Sequence, residues 1–449
     1  MVEKLKSKKI IAALFIFALG TGLCVAQQDA SESGSGNESG ALEPLRTAIR
    51  EKVIEKLPFQ VHGFIDARGG IRTQDDPHMD RTATLGETRL QLNIDWYTRL
   101  AQIKLKSDFL YDAVAKDFKP DLREANVLFT PFYFVDVKAG RQILTWGTGD
   151  LLFINDLFPK DWQSFFIGRD AEYLKAPSDA IKASFFFDLL NFDVIYTPSF
   201  DPDRYIEGDR VSYWNAMLGR LAGEDEDVVA DEPNSWFHDD ETALRIYKNI
   251  KGYELALYYY NGFWKSPAGT DPDTGNATFP RLAVYGASAR GVVLDGIGNI
   301  EFGYYDSKDD TDGYNAYVRN SEFRILAGYE RELARNLTGA LQYYIEYMED
   351  YDEYRSALPD GMNPSDEDRH VITLRLTQLL MNQNLELSLF TYYSPTDEDA
   401  YLRPRVTYKF TDEWTGVVGG NVFLGEDENT FFGQFENNTN VYAGLRWNF

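Results

Sequence analysis

Cysteine, histidine and positive charge are all scarce in this 449-residue chain. A single Cys excludes a disulfide framework and a cysteine-based metal centre. The four histidines, His62, His78, His238 and His370, are scattered without metal-ligand spacing. Lys and Arg number 45 against 71 Asp and Glu, a net charge of −26, so the clustered basic residues that hold nucleic acid are missing. No Ser/His/Asp constellation can be assigned from spacing, so no enzyme is expected. Nothing in the sequence calls for a cofactor or a metal. Beyond the first segment there is also no apolar run of 18 residues, which leaves no transmembrane helix. What is plentiful is aromatic residue, at 15%, too much for a disordered acidic chain.

Residues 1–26 read as a secretory signal peptide. Lys4, Lys6, Lys8 and Lys9 precede the apolar run Ile10 to Leu19, and Val25-Ala26-Gln27 offers a cleavage point after Ala26. Gly20 and Gly22 make the run too short for a spanning anchor. Cys24 would leave with this leader. Residues 27–41 form a flexible Ser/Gly/Glu linker. Residues 42–58 are expected to hold an amphipathic helix, since Leu42, Leu45, Ile49, Val53 and Leu57 recur every three or four residues among charged neighbours. That helix could cover a barrel mouth, enter a lumen or pair with another subunit.

From Phe59 onward the period changes to two. Leu90, Leu92, Ile94 and Trp96 alternate with Arg89, Gln91, Asn93 and Asp95. The same alternation runs through 103–111, 253–259, 323–329, 337–347, 385–389 and 402–410. Each segment is a strand with one apolar and one polar face. Most are about ten residues long, the span a tilted strand needs to cross a bilayer. The connections alternate short and long, and the nine long ones (74–83, 113–120, 146–179, 200–240, 262–280, 309–320, 350–368, 395–400 and 425–437) each join an up strand to a down strand. The expected fold is therefore all-β: a transmembrane antiparallel up-and-down barrel of about 18 strands spanning 59–449. The last strand alternates Val441, Ala443, Leu445, Trp447 and Phe449 and resembles the terminal strand of bacterial outer-membrane proteins, a resemblance that implies an assembly signal at Trp447 and Phe449 for the barrel-assembly machinery. Trp96, Tyr97, Phe132, Tyr133, Trp414 and Trp447 would form interfacial girdles.

With the apolar face toward lipid, the other face lines the lumen. The basic residues assigned there include Arg68, Arg89, Lys104, Lys106, Arg369, Arg375, Arg403, Arg405, Lys409 and Arg446; Glu241, Glu254, Glu301, Glu322, Glu330 and Glu346 form an opposite, acidic arc. The two arcs could set up a transverse field across the lumen, or their members could pair as salt bridges within the wall. So many inward charges require water or partners, which points to a water-filled channel.

The block Gly140-Arg141-Gln142-Ile143-Leu144-Thr145-Trp146-Gly147, with the loop from Asp150 to Trp162, resembles porin-like outer-membrane barrels with long external loops, including the alginate-export type. The balanced inward charge of this chain departs from the Arg- and Lys-dominated interior of the alginate-export type. In general porins the third external loop folds inward and narrows the pore. The resemblance implies the same for 146–179, where Asp150, Phe153, Asn155, Asp156, Asp161 and Trp162 would build a constriction. The alternative is that its apolar residues pack under neighbouring loops. The function expected is passive diffusion of small hydrophilic solutes or ions across a Gram-negative outer membrane, amid outer-membrane lipid and lipopolysaccharide and with a homo-oligomer possible. A second class of reading is a binding or scaffold barrel, either a surface receptor acting through 200–240 or a sheath for a periplasmic partner.

Overall fold

The computed structural model describes residues 58–359, 361, 362 and 364–449. The leader, the linker and all but the last residue of the expected 42–58 helix lie outside the described residues. From Gln60 the chain forms eighteen barrel strands: β1 Gln60–Arg72, β2 Ala83–Tyr97, β3 Gln102–Asp112, β4 Asp117–Phe132, β5 Val135–Gln142, β6 Ser178–Phe186, β7 Asn191–Thr197, β8 Glu241–Ile250, β9 Tyr253–Phe263, β10 Arg281–Val293, β11 Gly296–Ser307, β12 Glu322–Ala334, β13 Leu337–Met348, β14 Asp368–Leu380, β15 Leu385–Ser394, β16 Asp399–Lys409, β17 Trp414–Leu424 and β18 Asn440–Asn448. Each pairs with its sequence neighbours, and β1 closes on β18 antiparallel, from Phe64 opposite Asn448 to Arg72 opposite Asn440. Closure leaves no unpaired edge, the condition for a sheet to stand in hydrocarbon.

Period-two patterning puts an apolar band on the outside. Leu341 lies opposite Leu374, Leu376 opposite Leu389, Leu387 opposite Val406, Val406 opposite Val418, and Ala67 opposite Leu445. Leu341, Val406, Val418 and Leu445 are exposed although large and apolar, so this face is built to meet lipid rather than water. The long-loop rim carries a ladder of rings in direct register, with centroid distances of 5.4 Å for Tyr259–Tyr285, 6.5 Å for Tyr285–Tyr304 and 4.8 Å for Tyr304–Phe323. The opposite rim carries Trp96, Tyr97, Phe132, Tyr133 and Trp414, all exposed, and Trp414 lies 6.3 Å from Trp447.

The connections sort by rim. Short turns include Lys251-Gly252, where both residues have positive φ (53° and 88°) as a two-residue hairpin with matching twist requires. On the other rim, helix α1 (Trp162–Ile167) lies in the 143–177 connection and α2 (Tyr351–Ala357) in 349–367. The 143–177 connection starts earlier than the sequence pattern suggests. Gly140 takes φ 113° with its Cα face tight against the Ala125 carbonyl, and the Gln142 side chain donates to the Ala180 carbonyl at 2.9 Å, ending the strand there. The 198–240 connection is also ordered: Tyr213–Asn215 pairs with Arg220–Ala222, and Ala230–Asp231 runs parallel to Ala277–Thr278.

Candidate functional site: the inner wall and its two loops

Segment 143–177 touches inward-facing side chains strand after strand. Trp146 packs 5.1 Å from Phe158 and 6.0 Å from Tyr258 of β9. Glu301 of β11 is buried and accepts from the amides of Thr148 and Gly149, the latter at 2.8 Å, and from Asn155 Nδ2 at 3.1 Å. Tyr305 donates its hydroxyl to the Ile154 carbonyl at 2.5 Å. The backbone of Asp150 is held on both sides by Gln342 of β13, at 2.7 and 2.9 Å, and its carboxylate lies 3.0 Å from Arg375 Nε of β14. Tyr392 of β15 donates to the Leu151 carbonyl at 2.8 Å. Close approach is possible because the wall is cut back to glycine: a Cβ at Gly286 would fall 1.7 Å from Asn155 Oδ1, and one at Gly303 2.6 Å from Ile154.

After this polar stretch the chain turns through a short helix. Asp161 accepts from the Ser164 amide at 2.7 Å as the N-cap of α1, satisfying one of the free donors at a helix start. Phe165 and Phe166 are buried in an aromatic bed: Phe166 lies 5.5 Å from Tyr401, 5.6 Å from Phe423 and 4.7 Å from Phe435, and Arg403 stacks over Phe165 at 3.9 Å. Gly168 stops the helix at φ 94°, where any side chain would meet the Tyr442 ring.

The next residues are ionic. Asp170 lies 2.7 Å from Arg68 of β1 and 2.6 Å from Arg405 of β16, and also pairs with Arg446 of β18. Arg169 reaches both carboxylate oxygens of Glu87 at 3.0 Å. Tyr173 is buried beneath the Arg89 guanidinium at 3.9 Å and accepts from Gln91 at 3.1 Å. Glu172 meets Lys106 at 3.4 Å. Burial works against the Asp170 anion, yet Arg68, Arg446 and Arg405 outweigh it and hold the carboxyl well below the usual range. At Asp150 burial prevails over Arg375, and with Glu330 adding like charge the carboxyl is pushed up.

The remaining sequence-assigned wall residues are paired locally. Lys104 meets Glu124 at 2.8 Å, Arg89 meets Asp108 at 2.6 Å, Arg369 meets Asp397 at 2.5 Å and Glu346 at 3.7 Å, and Arg375 meets Glu330 at 2.6 Å. Glu241 binds Lys265 at 2.6 Å, Glu254 binds Arg245 at 2.6 Å, and Glu322 binds Arg319 at 3.0 Å and also Arg324. Thus members of both arcs take partners from their own neighbourhood, and Arg369 and Arg375 bridge the two sets through Glu346 and Glu330. Lys409 stands apart, exposed on its strand. Within the loop Asp156 is ion-paired to Lys160 at 3.0 Å, and Phe153 lies under that ammonium at 4.6 Å. Trp162 donates to Asp203 at 3.0 Å. Trp447 of the closing strand and Phe449 just beyond it lie 5.3 Å apart, their rings tilted by 41°.

Sequence reasoning reads 200–240 as an external connection or a receptor surface and misses its contacts with the wall and with the 143–177 loop. Asp203 accepts from the Lys160 amide at 2.6 Å, Arg204 bridges Asp121 at 2.9 Å and Asp161 at 3.4 Å, and Arg210 is buried against Asp112 and 3.2 Å from the Thr84 carbonyl. Ser212 donates to Asp76 at 2.7 Å. These partners are 40 to 140 positions away, so no local pattern reveals them; the one signal was the isolated Arg-Val-Ser inside an acidic loop. A cavity of about 130 Å³ lies beside the 143–177 loop, lined in part by Thr145, Trp146, Thr148, Lys175, Arg290 and Glu301.

No family model matches the chain, and no curated protein matches it by sequence. Solved structures do match in fold. OccAB3 of Acinetobacter baumannii is similar over 87% of this chain and 99% of its own, with a TM-score of 0.54 at 11% identity. OccAB4 of the same organism is similar over 88% and 99%, with a TM-score of 0.54 at 10% identity. OccK11 (OpdR) of Pseudomonas aeruginosa is similar over 87% and 95%, with a TM-score of 0.50 at 8% identity. At these identities the likeness is one of fold. The chain has the fold of these barrels, a closed antiparallel barrel of 18 strands, as the patterning of its strands leads one to expect.

Proposed function

We propose that the protein is a porin-like outer-membrane channel through which small hydrophilic solutes or ions diffuse passively, with a water-filled lumen narrowed by the 143–177 loop. The observation that carries this reading is the exposure of charged groups on the inward face. The side chains of Lys104, Lys138 and Lys182 remain 31, 27 and 28% exposed, and those of Glu254 and Glu330 42 and 38%. Inside a closed barrel such groups can be solvated only by lumenal water, because an ion cannot be left dry without a large penalty. Eighteen strands is the size at which barrels leave an aqueous passage. The loop supports a constriction because its contacts lie on the inner wall from β9 round through β18 to β4. In this reading residues 1–26 export the chain, Trp447 and Phe449 serve barrel assembly, and the girdles sit at the lipid and lipopolysaccharide boundary.

Purified barrel in planar bilayers tests the proposal. Ohmic single-channel steps are expected, with a reversal potential in a salt gradient that reports the net sign of the lumen. A folded barrel that never conducts would refute it.

A further inference from the structure

Among the described residues, Glu87 is the one wall residue to which the 143–177 and 198–240 loops each send an arginine. It lies on the inner face of β2 and is buried. Arg169 of the 143–177 loop binds both of its oxygens through Nε at 3.0 Å, and Arg210 of the 198–240 loop stands 3.6 Å away. Its own strand adds Arg89 at 3.5 Å. Around it, Arg89 also meets Asp108 at 2.6 Å and Arg210 also meets Asp112. Three carboxylates and three guanidinium groups thus form one neutral buried network, in which Asp108 and Asp112 come from β3. Within that network Arg89 and Arg210 each have a second carboxylate, whereas among the described residues Glu87 is the only carboxylate with which Arg169 forms an ion pair.

We infer that Glu87 is a positioning residue that holds both loops inside the lumen at once, so that the 143–177 constriction and the 198–240 crossing behave as one unit. The inference rests on the channel reading for its consequence, the bore of the pore, but the coupling itself stands on geometry. Two arginines from segments 41 positions apart converge on one carboxylate with no water needed to neutralise them. Removing the carboxylate charge leaves Arg169 buried without its anion and weakens the seat of Arg210 in the same step. Other links between the loops, the Lys160 amide and Trp162 to Asp203 at 2.6 and 3.0 Å and Arg204 to Asp161 at 3.4 Å, lie elsewhere and do not involve the wall of β2.

The test uses the full chain with Glu87→Gln, Glu87→Asp, Arg210→Gln and the pair Arg169→Gln with Arg210→Gln. Limited proteolysis of the folded barrel reads each loop by its own cleavage products, and heat-modifiable migration on gels shows that the barrel stays closed. Glu87→Gln should raise cleavage in both 143–177 and 198–240, roughly tenfold or more if local opening governs attack. Glu87→Asp should restore most of the protection, which loss of packing alone would not predict. Should Glu87→Gln fail to assemble, the double arginine variant removes the same contacts from the loop side and should expose both loops. Either loop remaining as protected as in the unaltered protein would overturn the inference. Single-channel recording of the same proteins separates the two readings: if the unaltered barrel does not conduct, the channel proposal fails while cleavage still decides the role of Glu87. If the barrel conducts and both loops are freed, conductance must rise; an unchanged conductance would refute Glu87 as a determinant of the bore.

Discussion

The 143–177 loop meets the wall in two seats that differ in kind. At α1 the contact is aromatic, Phe165 and Phe166 against Tyr401, Phe423 and Phe435. A few residues later it is ionic, Asp170 among Arg68, Arg405 and Arg446 and Arg169 on Glu87. The aromatic seat is deep but not strongly directional, since offset and edge-on rings tolerate small shifts. The ionic seat is the reverse. Its partners come from strands on both sides of the closure, and a shift of one residue along the loop would leave buried guanidinium groups unpaired. The first seat supplies adhesion and the second fixes register.

The largest effect should follow loss of the ionic seat. Asp170→Ala takes from Arg405 its carboxylate and leaves Arg68 and Arg446 to share Asp66, and breaking a buried pair typically costs about 3–5 kcal/mol. Hydrogen exchange of the 169–175 amides in the folded barrel should accelerate accordingly, and Asp170→Asn should do nearly as badly because the charge is what the arginines require. The pH dependence has a definite sign. The Asp170 carboxyl is held low, so its contribution is present above the ordinary carboxylate value of about 3.9 and fades only as pH falls through the lower folded value. Protection of this stretch should therefore persist when the buffer is taken to about pH 4; loss of protection at that point would contradict the three-arginine seat.

Next in size is the aromatic seat. Phe166→Ala should cost about 3 kcal/mol of local stability by opening a cavity in the bed. Phe166→Leu should recover most of that, leaving a deficit of less than about 1.5 kcal/mol. The same exchange measurement, read over 162–168, checks both. If a leucine there proved as damaging as alanine, the aromatic seat would be as register-specific as the ionic one and the contrast would disappear.

How far the sequence discloses this arrangement follows from the range of the interactions. The strands are legible because the alternation of Leu90, Leu92 and Ile94 against Arg89, Gln91 and Asn93 is written within a few residues, and lipid on one side leaves no choice of face. The count of eighteen follows from alternating turn lengths. The inward charges are legible as a set, but not their pairing, because Arg68 meets Asp170 from 102 positions away and Arg446 from 276. Arg210 was invisible for the same reason. The inward glycines Gly286 and Gly303 were the one local clue that something packs against β10 and β11, since an up-and-down strand gains nothing from losing a side chain there.

A smaller effect is expected at Lys409, which stands outside both seats. Lys409→Glu should leave loop protection unchanged within about 0.5 kcal/mol, as surface substitutions usually do. In the channel reading proposed above, where Lys409 lines the lumen, it should still move the reversal potential toward cations. The Arg405→Glu change, by contrast, should disturb both readouts because Arg405 holds Asp170 at 2.6 Å.

The smallest effect should come from Asp150, although it too carries an ion pair, to Arg375 at 3.0 Å. Burial raises its carboxyl, only partly countered by Arg375, and Glu330 beside the same arginine adds to the rise. A carboxyl that is raised in the folded state opposes folding when ionised. Stability should thus grow as pH falls through the raised value, the opposite sign to Asp170. Its backbone, meanwhile, is clasped by Gln342 through two hydrogen bonds that do not depend on charge. Asp150→Asn should therefore change exchange in 147–152 by no more than about 0.5 kcal/mol and should abolish its pH dependence. Two aspartates of one loop, each beside an arginine, would then differ because one is ion-paired to three arginines while the other is ion-paired to Arg375, which Glu330 shares.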